Sequence, residues 1–129
     1  MDRSPRTVLL AEDDSAIQDM MQHALSEAGF RVITTDNGAD AVTLALAEHP
    51  DVILIDIEMP GLDGHEAVRQ IRADRWGATA RVIYLTNFSE PEDVYHAVTN
   101  RSAEFIVKAN TPVREIINHV RLASYSDQS

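Results

Sequence analysis

The chain has 129 residues, with 11 Lys and Arg against 21 Asp and Glu, a formal charge of −10 and a pI near 4.7. So acidic a chain argues against direct binding of nucleic acid or anionic lipid, since both need clustered cations. The lack of cysteine rules out disulfides and thiolate metal sites and suits a reducing cytosol. No apolar run approaches the roughly 18 residues of a membrane span, and Met1-Asp2-Arg3-Ser4-Pro5-Arg6 lacks the apolar stretch of a signal peptide. The expectation is a soluble cytoplasmic protein with one domain over 1–129, its core spanning about 6–123 and a polar tail at 124–129.

Short apolar runs alternate with segments whose apolar residues fall at helical spacing, the pattern of repeated βα units. Thr7–Ala11 is the first predicted strand. The helix after it carries Ile17, Met20, Met21, Ala24, Leu25 and Ala28 on one side and stops at Gly29, with Ser15 and Gln18 offering a capping box. Phe30–Thr34 is the second strand, and Asn37-Gly38 leads into a helix to about His49 with Ala41, Val42, Ala45 and Leu46 inward, ended by Pro50. Val52-Ile53-Leu54-Ile55 is apolar without alternation, as expected of a central parallel strand covered on both faces.

A loop with Pro60, Gly61 and Gly64 precedes a helix from about His65 to Asp74. Arg81–Leu85 is the fourth strand, and Ser89-Glu90-Pro91-Glu92 opens a helix to about Asn100. Glu104–Val107 is the fifth strand, and Thr111-Pro112 starts a last helix through about Leu122. Five strands alternating with five helices imply an α/β fold with a doubly wound, five-stranded parallel sheet, helices on both faces and strand order 2-1-3-4-5. Such sheets bind ligands beyond the carboxyl ends of their strands.

Glu12, Asp13 and Asp14 follow the first strand, Asp56 and then Glu58 the third, Thr86 the fourth and Lys108 the fifth. A lone acid at a strand end is ordinarily a helix cap or a solvated loop residue, and Asp14 reads as such a cap. Carboxylates converging on one crevice either raise each other's pKa or recruit a divalent cation. Oxygen donors without nearby His or Cys favour magnesium or manganese over zinc. A lysine and a hydroxyl facing the same acids supply what an added phosphoryl group would want. His23, His49, His65, His96 and His119 have no metal-pair spacing and read as surface or capping residues, Met20 and Met21 as core fillers, and Trp76 as a loop or helix-end residue.

In these residues the chain resembles the receiver domains of bacterial two-component response regulators, the CheY-like, flavodoxin-like fold. The resemblance runs from Val8-Leu9-Leu10-Ala11-Glu12-Asp13-Asp14 through Asp51-Val52-Ile53-Leu54-Ile55-Asp56-Ile57-Glu58-Met59-Pro60-Gly61-Leu62-Asp63-Gly64 to Thr86 and Phe105-Ile106-Val107-Lys108. It implies that Asp56 accepts a phosphoryl group from a histidine kinase or phosphotransfer protein. Mg2+ would be held by Glu12, Asp13, Asp56 and the backbone carbonyl of Glu58. Lys108 would pair with one phosphoryl oxygen and Thr86 with another, while Phe105 occupies the aromatic switch position. The phosphorylated state would be read by a downstream protein, or by an output domain outside this chain, on the face made by the predicted fourth helix, fifth strand and fifth helix. Glu58 and Phe88 stand where the family places the water that hydrolyses the acyl phosphate.

The sequence departs from the family at Ala109, where a proline is usual, at Arg101-Ser102, where Gly-Ala is common, and at Asn87, where a small residue is usual. None of these removes a catalytic group. Two rival readings remain. An aspartyl-nucleophile phosphatase or phosphotransferase would carry its nucleophile after the first strand with a second Asp two residues on, whereas here the first strand ends in Glu12-Asp13-Asp14. A receiver-like interaction module acting without phosphorylation would not need Asp56, Asp13 and Lys108 intact, although Ala109 and Asn87 are compatible with it. The expected protein is a switch and not a multiple-turnover enzyme.

Overall fold

The computed structural model describes residues 6–86, 103–108 and 111–125. Its strands are β1 (Thr7–Ala11), β2 (Arg31–Thr35), β3 (Val52–Asp56), β4 (Val82–Thr86) and β5 (Ala103–Val107). The described α-helices are α1 (Ser15–Glu27), α2 (Gly38–Glu48), α3 (Gly64–Arg72) and α4 (Val113–Tyr125), with a 3-10 turn at Trp76–Thr79. All strand pairs are parallel and the order is β2-β1-β3-β4-β5, as the sequence predicts. The predicted helix over 89–100 lies outside the described residues.

Side chains alternate across each strand, so the apolar runs divide into two cores. Leu9, Ala11, Ile53, Ile55, Val82 and Tyr84 pack with α2 and α3. Val8, Leu10, Val52, Leu54, Ile83 and Leu85 pack with α1 and α4. Every residue of β3 and β4 is buried, which is why their sequences lack polar alternation.

The elements begin and end through local chemistry, which differs in places from the sequence-based expectation. Asp14 caps α1, its Oδ1 accepting from Ala16 N at 3.0 Å and Ile17 N at 3.1 Å, so the Ser15–Gln18 capping box does not form. Helix α1 closes in a Schellman motif: Gly29 at φ 99° donates to Ser26 O, and Phe30 N reaches Leu25 O. Met21 is buried, but Met20 is 49% exposed and is not a core filler. Adjacent helical positions point about 100° apart, and on α1 that rotation carries Met20 off the packed face that holds Met21.

Strands β2 and β4 each sit one residue later than expected, so Thr86 closes β4 instead of following it. Helix α3 runs over Gly64–Arg72, not from His65 to Asp74, because Asp63 Oδ1 caps it by accepting from Glu66 N at 2.9 Å. Helix α4 continues to Tyr125, and Ser124, expected to open the polar tail, is buried with its Oγ donating to Arg121 O. His49 ends α2 with φ 49°, and its ring stacks on Trp76 with centroids 4.4 Å apart. His65 is half-buried, not on the surface, its ring centroid 4.8 Å from that of Tyr84.

Candidate functional site

Each of β1, β3, β4 and β5 delivers a polar side chain to its carboxyl end, and three of the four are drawn together by hydrogen bonds. Glu12 follows β1 and is 1% exposed. Its Oε1 accepts from Lys108 Nζ at 2.9 Å and its Oε2 from Asp14 N at 3.1 Å. Asp56 ends β3, also buried. Its Oδ2 accepts from Lys108 Nζ at 3.2 Å and its Oδ1 from Glu58 N at 3.0 Å. Lys108 therefore bridges two carboxylates nearly out of water, its own side chain 7% exposed.

That enclosure sets the protonation of the pair. Burial pushes Glu12 up to about 6, opposed by its hydrogen bonds from Lys108 and Asp14 and reinforced by the neighbouring Asp56 charge. Burial alone would lower Lys108, but the hydrogen bond to Glu12 and the charges of Asp56 and Glu12 outweigh it, so the ammonium is held above the ordinary lysine range.

Asp13 is exposed, yet one of its oxygens lies within 4.8 Å of oxygens from both Glu12 and Asp56. Trans ligands of an octahedral magnesium stand about 4.2 Å apart, so small side-chain rotations would fit the three around one ion. The donors are hard oxygens without imidazole or thiolate, which suits Mg2+ and not zinc. Glu58 is exposed; its peptide N–H already contacts Asp56, which brings its backbone to the cluster.

Thr86 is fully buried at the end of β4. Asp56 is paired with Leu85 across the β3–β4 ladder, so Thr86 lies one residue past Asp56 on the neighbouring strand. It has the parity of Val82 and Tyr84, whose face of the sheet packs with α2 and α3, and the half-buried Phe105 packs against that same core, paired with Tyr84. Asn87, Phe88, Arg101, Ser102 and Ala109 lie outside the described residues.

Two contributors to the site escaped the sequence reading. A Cβ on Gly64 would lie 2.5 Å from the Asp56 carbonyl oxygen and 2.8 Å from Ile57 Cα, so glycine lets α3 start directly against the loop after β3. Asp63, three residues ahead of Glu66, was the available cap signal for that helix start. The other is Gln18, whose side chain turns back to the β1 end.

The response regulator receiver domain model matches residues 8–121. The chain is 32% identical over 120 residues to the transcriptional regulatory protein PdtaR of Mycobacterium tuberculosis, covering 92% of this chain and 57% of that protein. It is 32% identical over 101 residues to protein PilH of Pseudomonas aeruginosa, covering 78% and 84%. Among solved structures, the receiver domain of a sensor histidine kinase from P. aeruginosa, with magnesium coordinated in its active-site cleft, has a TM-score of 0.85 at 28% identity and covers 95% of this chain and 99% of that one. The chemotaxis protein CheY4 of Vibrio cholerae has a TM-score of 0.84 at 25% identity, covering 92% and 98%. The chain belongs to the response regulator receiver family, and its parallel sheet is the CheY-like fold of two-component signalling. It spans about half the length of several curated relatives that it matches. Among the described residues, no helix is long and apolar enough to cross a membrane.

Proposed function

We propose that this receiver is a cytoplasmic, phosphorylation-controlled switch in which Asp56 accepts a phosphoryl group from a histidine kinase or phosphotransfer protein. The observation that carries the reading is the buried Asp56 carboxylate held 3.2 Å from Lys108 Nζ, within a cluster whose three acids offer oxygens inside 4.8 Å of one another. A carboxylate oxygen attacking phosphorus forms the O–P bond while the bond to the donor nitrogen breaks. Two anions must meet in this step. Bound Mg2+, or Mn2+ in its place, would neutralise that charge, with Glu12, Asp13, Asp56 and the Glu58 carbonyl as its protein ligands. Lys108 stays protonated beside Asp56 and supplies a fixed cation for a phosphoryl oxygen. The protein acts on no separate substrate by multiple turnover. It changes state when it is modified.

The readout runs through Thr86 and Phe105. Thr86, drawn to the phosphoryl oxygens, vacates space on the sheet face that Phe105 shares, and the Phe105 ring fills it. Because Phe105 has no hydroxyl, the response is a change of shape more than of hydrogen bonding, read by a protein partner or an output domain at β5, α4 and the segment before β5. Hydrolysis is slow, since Phe88 has no group to orient a water, while an ionised Glu58 would orient a water or repel the one that must attack.

Intact mass after incubation with Mg2+ and acetyl phosphate tests the reading. One phosphoryl group is expected on the unaltered protein and none on Asp56→Ala. A magnesium-dependent, hydroxylamine-sensitive group retained by Asp56→Ala would overturn the assignment. A beryllofluoride mimic should shift amides within 90–120 as well as around Asp56, and shifts confined to the pocket would refute the relay. Phe88→Ala should lose its phosphoryl group faster than the unaltered protein; equal or slower decay would show that Phe88 shields nothing.

A further inference from the structure

Gln18 lies in the first turn of α1 but takes no part in the cap that opens it. Its Nε2 donates to the carbonyl oxygen of Glu12 at 3.0 Å and to that of Thr35 at 3.0 Å. Thr35 O also accepts from Glu12 N at 3.0 Å. A single half-buried amide therefore joins the end of edge strand β2 to the turn that carries Glu12 and Asp13.

The placement answers a specific backbone problem. The β1–β2 ladder ends at the pair Ala11–Thr35, and β1 then turns away into α1. Continued pairing would need both strands to stay extended, so the Glu12 carbonyl loses its rung, while Thr35 O keeps its bond from Glu12 N and has a second lone pair to share. An amide NH2 has two donors and can hold both oxygens at once; a hydroxyl has one donor and a carboxylate none. Asparagine at the same position would be one methylene short. The acid-bearing turn is thus held through its backbone, at the Glu12 carbonyl, by a side chain on α1.

We propose that Gln18 is a positioning residue of the cation pocket, holding the Glu12–Asp13 turn so that both carboxylates face Asp56. The inference rests on the reading of these acids as a divalent-cation site. Mg2+ demands near-ideal octahedral geometry with short bonds, whereas Ca2+ accepts longer and less regular ones. Loss of the clamp therefore discriminates between the two ions, which general destabilisation would not.

The test is calorimetric titration of the full chain with Mg2+ and with Ca2+, for the unaltered protein, Gln18→Met and Gln18→Asn. Both variants should weaken Mg2+ binding by about 10-fold, the scale of lost outer-shell support at metal sites. Ca2+ binding should change by less than about 3-fold. In the metal-free protein, hydrogen exchange of the Glu12 and Asp14 amides should also quicken in both variants. An unchanged ratio of Mg2+ to Ca2+ affinity in both variants would overturn the proposal. If the unaltered protein binds neither ion, the cation reading itself fails, and unchanged amide exchange in the variants would then reject the clamp on its own terms.

Discussion

Replacing Glu12 by glutamine separates the charge of this side chain from its shape. In the metal-free protein Glu12 titrates near 6 against 4.5 for an ordinary glutamate, because burial disfavours its anion. The folded state thus holds this proton more tightly than the unfolded state does. The associated stability is fully present below about pH 4.5 and is lost as pH rises through about 6. A shift of that size corresponds to about 2 kcal/mol, reduced to about 1–2 kcal/mol because the pocket opens to water beside the exposed Asp13. Glu12→Gln has no such term. Its carbonyl can still accept from Lys108, but an amide nitrogen would face Asp14 N, so the variant forfeits about 1 kcal/mol of hydrogen bonding at all pH values. Urea denaturation in EDTA at about pH 5 and about pH 7.5 reads the difference. The unaltered protein should exceed the variant at the lower pH and lose about 1–2 kcal/mol of that advantage at the higher, a relative midpoint change of about 0.5–1 M. Carboxylates remote from the pocket titrate alike in both proteins and cancel in the comparison. Parallel pH dependences would refute burial as the cause of the Glu12 shift.

Lys108→Ala leaves Glu12 and Asp56 buried without their shared cation, and should destabilise the metal-free protein by about 3 kcal/mol at neutral pH. Millimolar Mg2+ should recover part of that loss in thermal melts. Gly64→Ala forces a methyl group against the Asp56 carbonyl and should lower the urea midpoint by the equivalent of about 1–3 kcal/mol; a neutral result would mean that α3 can shift away without loss. Asp14→Ala removes the α1 cap and should cost about 1 kcal/mol, or about 3–5 °C in a circular dichroism melt.

The sheet was legible because its inner strands are buried on both faces: Val52 to Ile55 admits no polar alternation, and that marks a central strand. The acids at the strand ends were legible as a group once the strands were in place. What escaped depends on neighbours. Thr86 belongs to β4 because it pairs with Val107, a partner 21 positions along the chain, and local propensity carries no trace of that. Met20 and Met21 are chemically alike, and only the packing of α1 decides which is buried. Ser15 and Asp14 are both good caps by composition and the sequence offered both; the Asp14 cap is the one that forms, because the turn out of β1 selects the aspartate. Gln18 fitted a familiar local pattern with Ser15, which concealed its bonds to Thr35, 17 residues away.

The stacked His49 and Trp76 rings bear on how this protein can be observed in solution. Trp76 is the chain's only tryptophan, and both rings sit just ahead of the strands that follow them, β3 and β4. Five-residue strands put about 17 Å of sheet between that corner and the acidic pocket. Indole emission therefore reports the melting of the domain as a whole and stays insensitive to a cation arriving at the far rim. A fluorescence change on adding Mg2+ would be a sign that the signal had crossed the sheet.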